Sequence, residues 1–216
     1  MQIKKLFPYF DKLQKECGCK DLNSIYGAGK IKNPKIVFVF MNPTGKNIAS
    51  NKSWNGIKAP WLGTKNVWKL FYKLKYLDKE LFDKIQEKKA IDWDMTFAEL
   101  VYRDICKNSI YISNLSKATQ LDARPLKNHI FMKYLDLFKE EIDILQPKII
   151  ITFGNQVSSI ILNKNITVSK YRKKFELLDI KGKKIKVFPV YYPVGQGLRN
   201  IDIAKEDIDW IIKNYL

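Results

Sequence analysis

Residues 35–45 read Lys35-Ile-Val-Phe-Val-Phe-Met-Asn-Pro-Thr-Gly45, an unbroken apolar run of strand length that ends in a polar turn. A run without alternating polar residues is typical of a strand buried on both faces, as in a parallel sheet covered by helices. Two later runs have the same form: Ser109-Ile-Tyr-Ile-Ser113, which ends at Asn114, and Lys148-Ile-Ile-Ile-Thr-Phe153, which ends at Gly154. The three runs predict the central strands of one sheet.

Apolar residues between these strands recur at helical spacing. After a first helix carrying Leu6, Phe10 and Leu13, the spacing predicts helices near residues 64–77, 79–88, 94–107, 122–145, 155–163 and 202–215. The helix over 122–145 has Pro125 in its first turn, where proline is tolerated. Residues 175–180 and 184–190 predict a hairpin across Lys181-Gly182-Lys183. Strands that alternate with helices in this way indicate an α/β fold with a largely parallel central sheet.

Length and composition favour one globular domain over residues 1–216. Of its 216 residues, 46% are hydrophobic, which is enough to bury a sizeable core. No run approaches 18 apolar residues, and the N-terminus has no hydrophobic signal region, so we expect a cytoplasmic protein without membrane association. Three cysteines are too few for a disulfide framework, and we expect them to be free thiols.

The net charge of +17 is large for this length and favours a polyanionic partner such as nucleic acid. Arginine contributes only four of the 39 basic residues, however, and the chain is also rich in Ile and Asn. An AT-rich genome would produce the same composition without selection for binding. The charge alone leaves both explanations open.

Polar residues follow the predicted strands at corresponding places: Asn42, Asn114, Gly154-Asn155 and Tyr192-Pro193. In open α/β sheets, ligands bind beyond the carboxyl ends of the strands. A single Asn after a strand is more often a turn residue that hydrogen-bonds its own backbone. Taken one at a time, these positions favour the turn explanation over a functional site.

Five motifs in this order resemble the uracil-DNA glycosylase superfamily along nearly the whole chain. They are Phe40-Met41-Asn42-Pro43-Thr44-Gly45, Ala59-Pro60-Trp61-Leu62-Gly63, Tyr111-Ile-Ser-Asn114-Leu-Ser-Lys117, Leu145-Gln-Pro147-Lys148 with its closing Gly154, and Val187-Phe-Pro-Val-Tyr-Tyr192-Pro193 with Leu198-Arg199-Asn200. The first is similar to the Asn-Pro motif of the mismatch-specific and single-strand-selective branches. The others are similar to motifs of the thermophilic iron-sulfur branch.

The resemblance implies a fold and an activity. The fold would be a single-domain, three-layer α/β/α sandwich around a mainly parallel sheet of four to five strands. The activity would be that of a monofunctional DNA glycosylase, a hydrolase that removes uracil or a related deaminated base in base excision repair. Its partner would be DNA containing such a base, bound by a monomer near the nucleoid.

The resemblance also assigns roles within the site. Asn42 would hold the attacking water, and Tyr192 stands where the superfamily has a catalytic histidine. Trp61 would stack on the extruded base, with Met41 and Gly63 in the same pocket. Asn114 would read the base edge, because its amide can accept from uracil N3–H and donate to O4, a pattern that cytosine reverses.

A loop and several lysines are candidates for contact with DNA. Residues 194–199 would enter the minor groove, where two glycines permit close backbone approach and Leu198 or Gln196 fills the vacated stack. Gly-x-Gly loops are common in other proteins, and Leu198 could instead cap the last helix. The residues assigned to DNA binding are Gly195, Gln196, Gly197, Leu198, Arg199, Lys46 and Lys117, and Lys65 lies near the same predicted edge.

The cysteines depart from the iron-sulfur branch, which holds its cluster with four thiolates. Cys17 and Cys19 are one residue closer than a Cys-x-x-Cys pair, and Ala118 stands where the next ligand would be. We therefore expect no cluster, no zinc and no other cofactor. The single histidine, His129, lies along a predicted helix and is expected to be structural.

Other functions remain open at this stage. The tyrosine in place of histidine permits a catalytically weak or silent module that only binds damaged DNA. A glycosylase for another base, such as hypoxanthine or mismatched thymine, fits the same motifs. A phosphate-binding loop at Thr44-Gly45-Lys46 is remote, because the spacing Gly-x-x-x-x-Gly-Lys-Ser/Thr is absent.

Overall fold

The strand quoted first lies inside a six-stranded sheet in a computed structural model that describes residues 2–123 and 126–216. The strands are β1 (Ala28–Gly29), β2 (Ile36–Phe40), β3 (Ile110–Asn114), β4 (Ile149–Phe153), β5 (Glu176–Ile180) and β6 (Lys183–Val190). Every residue of β2, β3 and β4 is buried, which is why these strands read as continuous apolar runs.

The sheet order is β1-β3-β2-β4-β6-β5. Strands β3, β2, β4 and β6 run parallel to one another. Strands β1 and β5, at the two edges, are antiparallel to their neighbours. The mainly parallel α/β sheet and the hairpin of β5 with β6 are confirmed. The sheet has one strand more than the four to five expected, because β1 is only two residues long and carries no apolar pattern.

Seven α-helices accompany the sheet in the described part of the chain. They are α1 (Phe7–Cys17), α2 (Asn66–Lys73), α3 (Lys79–Glu87), α4 (Met95–Lys107), α5 (Asn128–Leu145), α6 (Asn155–Leu162) and α7 (Ile201–Tyr215). None of them combines the length and apolarity needed to cross a membrane.

Two helices differ from their predicted bounds by more than one residue. Helix α2 ends early, because Lys75 adopts a left-handed conformation with φ of 62°. Helix α5 begins at Asn128 instead of residue 122, so His129 lies exposed in its first turn and not in the middle of the helix. Pro125, expected in that first turn, lies outside the described residues.

The side chains of β2 alternate between two separate apolar clusters. Ile36, Phe38 and Phe40 pack in one cluster with helices α2, α4 and α7. Val37 and Val39 pack in the other with helices α5 and α6. Alternate side chains of a strand point to opposite faces, so helices cover both faces and the three-layer α/β/α architecture is confirmed.

Helix α1 packs outside these two layers. Phe10 joins Leu6, Ala118 and Tyr134 in a third apolar cluster. The buried Gln14 side chain accepts a hydrogen bond from the Thr119 amide at 2.6 Å and donates one to the Cys19 carbonyl at 2.8 Å. These contacts fasten α1 to the loop that follows β3.

Candidate active site

A cavity of about 800 Å³ lies beyond the carboxyl ends of β2 and β3. This is the edge at which ligands bind in open α/β sheets. The structure brings most of the predicted site residues together in its lining: Met41, Asn42, Lys46, Trp61, Gly63, Asn114, Tyr192, Gly195, Gln196 and Gly197. Lys117, Leu198 and Arg199 are not part of the lining.

The parallel pairing of β2 with β3, in which Phe40 is opposite Asn114, brings Asn42 and Asn114 to the same edge of the sheet. Beyond the strands, the Leu115 amide donates to the Phe40 carbonyl at 2.9 Å, and the Ser116 amide donates to the Met41 carbonyl at 3.0 Å. The Asn42 amide nitrogen donates to the Pro43 carbonyl at 3.1 Å. Its Oδ1 accepts no hydrogen bond from a described residue, and Asn42 lines the cavity.

Asn114 is 2% exposed, and its Oδ1 is buried without a hydrogen-bond partner among the described residues. A buried amide oxygen without a partner costs about 1–3 kcal/mol. Asn114 also lines the cavity, so a ligand with an N–H group there would satisfy this acceptor. The site is therefore built to receive a hydrogen-bond donor.

Trp61 is held in an unusual backbone conformation. Its φ of 66° lies in the left-handed region, which is rare for a bulky residue and often marks a functional position. Its carbonyl accepts from the Thr64 hydroxyl at 2.7 Å and from the Trp68 indole at 3.2 Å. The Trp61 ring packs edge-on against Phe40, with centroids 4.9 Å apart.

Tyr192, like Trp61, packs against Phe40. Its ring meets Phe40 edge-on, with centroids 6.2 Å apart and planes at 84°. Phe40 itself stacks on Phe153 at 4.4 Å. Burial raises the pKa of the Tyr192 phenol above its ordinary value, so the hydroxyl is a donor at neutral pH.

The loop after Tyr192 forms a short 3-10 turn over Gly195–Asn200. A Cβ on Gly197 would lie 2.1 Å from the Tyr192 carbonyl oxygen, so only glycine fits there. Gln196 is exposed and Arg199 is exposed, whereas Leu198 is partly buried against the core. Of the two candidates for filling a vacated base stack, Gln196 is the one that faces outward.

The sequence-family model of the Uracil DNA glycosylase superfamily matches residues 26–207 of this chain. The chain belongs to the uracil-DNA glycosylase superfamily. A "Type-4 uracil-DNA glycosylase" of Saccharolobus solfataricus (strain ATCC 35092 / DSM 1617 / JCM 11322 / P2) is 30% identical over 105 residues. That alignment covers 47% of this chain and 48% of the relative, so the chain matches about half of the relative's length. Both findings agree on the superfamily.

The lysines of this superfamily member divide into surface and core residues. Lys46 is exposed at the cavity, and Lys65, also exposed there, donates to the carbonyl of Gln86. Lys117 was predicted to contact phosphate, and that prediction is wrong. Its side chain is 1% exposed and forms a 2.7 Å ion pair with the equally buried Glu141, so it cannot reach DNA.

The cysteines of this superfamily member do not fit a four-thiolate iron-sulfur site. Cys17 and Cys19 lie half-buried near the loop after β3, where Gln120 donates to the Cys17 carbonyl at 2.9 Å. Ala118 in that loop is fully buried in apolar packing with Phe10. In residues 2–123 and 126–216, no three His, Cys, Asp or Glu side chains are grouped so that they could hold a metal.

Two structural contributors were missed by sequence reasoning. Phe40 supports both Trp61 and Tyr192, and its position as the last apolar residue of the predicted strand was the available signal. Glu141 lies on the buried face of α5 with Phe138 and Leu145. A carboxylate at helical spacing from those apolar residues indicates a buried partner, which is Lys117.

Proposed function

We propose that this protein is a monofunctional DNA glycosylase that hydrolyses the N-glycosidic bond of uracil in DNA. One observation carries the proposal: the Oδ1 of Asn114, buried and without a hydrogen-bond partner among the described residues, belongs to a cavity shared with Asn42, Trp61 and Tyr192. Membership of the superfamily and the match to a type-4 uracil-DNA glycosylase support the same reaction class.

Base recognition begins with extrusion of the nucleotide from the helix, which costs a few kcal/mol. The Trp61 ring offsets part of this cost by stacking on the base. Uracil N3–H donates to Asn114 Oδ1, and the Asn114 amide nitrogen donates to uracil O4. Cytosine presents an acceptor at N3 and would leave the Asn114 oxygen unpaired, so the site rejects it.

The chemical step transfers the sugar from the base to water. The water oxygen forms a bond to C1′, and the electron pair of the C1′–N1 bond leaves with the uracil. Asn42 Oδ1 accepts a hydrogen bond from the water and orients it, and the water's proton is released to solvent. The Tyr192 hydroxyl donates to uracil O2, where negative charge develops.

An amide at position 42 makes this a slow enzyme. Asn42 cannot take a proton as a carboxylate does, so some or all of the roughly 10²–10⁴-fold of general base catalysis is lost. A cation-like sugar in the transition state needs only a neutral, well-placed water. The single donor at O2 then supplies about 10²–10³-fold.

Contact with DNA is assigned to the exposed residues around the cavity. Gln196 fills the vacated stack, Arg199 and Lys46 contact phosphates, and the glycines of the loop let the backbone approach the minor groove. The net charge of +17 favours such a partner. We propose that the protein acts as a cytoplasmic monomer.

The test is incubation of the purified protein with oligonucleotides carrying uracil, hypoxanthine, xanthine or mismatched thymine, in single strands and in duplexes. Excised bases are scored as alkali-labile sites. We expect cleavage at uracil. Excision of hypoxanthine alone would show that the protein is a glycosylase for that base instead of uracil. DNA binding without excision of any base would indicate a damage-recognition module.

A further inference from the structure

A buried charged network lies directly behind the residue that reads the base. Lys117 Nζ is 2.7 Å from Glu141 Oε2 and also donates to the Ser113 hydroxyl and to the backbone carbonyl of Asn114. An ammonium group has three N–H donors, and here each donor has an acceptor. Both charged side chains are 1% exposed, so water cannot substitute for any of these contacts.

Glu141 extends the network to the opposite side. Its Oε1 accepts from the Tyr111 hydroxyl at 3.1 Å, and both of its oxygens lie 3.1–3.2 Å from the Ser113 hydroxyl. Tyr111 and Ser113 are on one face of β3, and Asn114 follows with its side chain on the other face. The network therefore contacts the face of β3 opposite to the one that carries the cavity-lining Asn114 side chain.

The Asn114 side chain has no such support of its own. No described residue donates to its Oδ1, so no hydrogen bond from the described part of the chain fixes that oxygen. Its direction depends on the backbone of residue 114, and the Lys117 ammonium holds the carbonyl of that same residue. Replacing a buried ion pair by apolar groups is often neutral for stability, so stability alone does not account for this pair.

We infer that Lys117 and Glu141 are positioning residues that fix the Asn114 backbone so that its side-chain amide meets the base in one orientation. The inference rests on the proposed function, because it gives Asn114 the base-reading role. It assigns to the pair an effect on excision that is transmitted through Asn114 and not through contact with DNA.

The test variant is Lys117→Met combined with Glu141→Gln. Methionine is similar in length to lysine but removes the ammonium donor of the Asn114 carbonyl, which keeps the longer contact from the Ser113 hydroxyl at 3.3 Å. Glutamine keeps an acceptor for Tyr111 and Ser113. Because no unpaired charge remains buried, the double variant is expected to fold. We expect single-turnover excision of uracil to be about 10- to 100-fold slower, with unchanged affinity for abasic DNA.

The control is a second ion pair, between Arg172, whose side chain is 36% exposed, and Asp207, whose side chain is 1% exposed. Asp207 lies on α7, and no residue of α7 lines the cavity. Arg172→Met combined with Asp207→Asn should lower the Tm without slowing excision. An unchanged rate in the Lys117/Glu141 variant, or an equal loss of rate in this control, would overturn the inference.

A second measurement keeps the inference testable if the parent protein excises nothing, which is the failure of the proposed function. The side-chain NH₂ signals of Asn114 are observed in a ¹⁵N-labelled sample and assigned by their loss in Asn114→Ala. We expect one sharp pair in the parent and broadened or doubled signals in the Lys117/Glu141 variant. Identical, sharp signals in both proteins would refute the positioning role.

Discussion

Tyr192→Phe removes one hydroxyl from the cavity and leaves the aromatic ring in place. The ring packs edge-on against Phe40, and phenylalanine keeps that contact, so the Tm should change little. If the hydroxyl donates to the anionic oxygen of the departing base, its loss lowers the excision rate about 10²–10³-fold, or about 3–4 kcal/mol of transition-state stabilisation.

The pKa of Tyr192 sets the pH range over which this donor acts. Burial raises that pKa, and the protonated form is the one that donates, so the donor persists to higher pH than a free phenol allows. An unperturbed phenol would be half ionised at about pH 10. We expect the single-turnover rate of the parent to show no loss from Tyr192 ionisation between about pH 7 and 10.

Single-turnover excision from a uracil oligonucleotide measures the effect, and Tyr191→Phe is the control. Tyr191 is the neighbouring residue and is partly buried, but it does not line the cavity, so its hydroxyl should be dispensable. Tyr192→His should retain or exceed the parent rate, because it places another donor at that position. Equal rates in the parent, Tyr192→Phe and Tyr191→Phe would refute the assignment of Tyr192 as donor.

The remaining predictions concern recognition, the loop, phosphate contact and the metal. Asn114→Ala should abolish uracil excision while DNA affinity is largely retained, because only the base edge loses its partner. Gly197→Ala should slow excision by displacing the loop, since its Cβ would lie 2.1 Å from the Tyr192 carbonyl oxygen. Lys46→Ala should weaken binding of all sequences and reduce the salt slope of log Kobs by about 1. Because an iron-sulfur cluster needs thiolates and the described residues contain no group of three possible metal ligands, the purified protein should be colourless, without stoichiometric iron.

Each of these has a result that would contradict it. Wild-type excision by Asn114→Ala would remove the base-reading assignment, and an unaltered rate in Gly197→Ala would show that the loop can shift without cost. Lys213, exposed on α7 away from the cavity, is the control for Lys46, and an equal change of salt slope in both would indicate diffuse charge. About four irons per chain, with absorbance at about 400 nm, would show that the protein holds an iron-sulfur cluster.

The sequence predicts the sheet well because its central strands are buried on both faces. Such strands are continuous apolar runs, and the polar residue after each run marks the edge where the cavity lies. The edge strand β1 gives no such signal, because Ala28 and Gly29 pair with Ile112 and Tyr111 through backbone alone. The start of α5 was also misplaced, because the apolar pattern extends into residues that precede the helix.

Within the site, sequence reasoning locates residues that follow strands but not partners that are distant in the chain. Asn42, Trp61, Asn114 and Tyr192 were each predicted from a motif, and all four line one cavity. The burial of Lys117 could not be predicted from its own motif, because its partner lies 24 residues away on α5. Lys117 is buried because α5 packs beside β3 and brings Glu141 to it.

Because Gln14 of α1 accepts a hydrogen bond from the Thr119 amide, an expressed fragment of this protein needs to include α1. The family match begins at residue 26, so it leaves out Gln14 and Phe10. It also ends at residue 207, within α7 and before the buried Ile208 and Ile211. A fragment trimmed to the match would expose two apolar surfaces and leave the Thr119 amide without its acceptor. We therefore expect a fragment restricted to residues 26–207 to be less stable than the full chain of 216 residues.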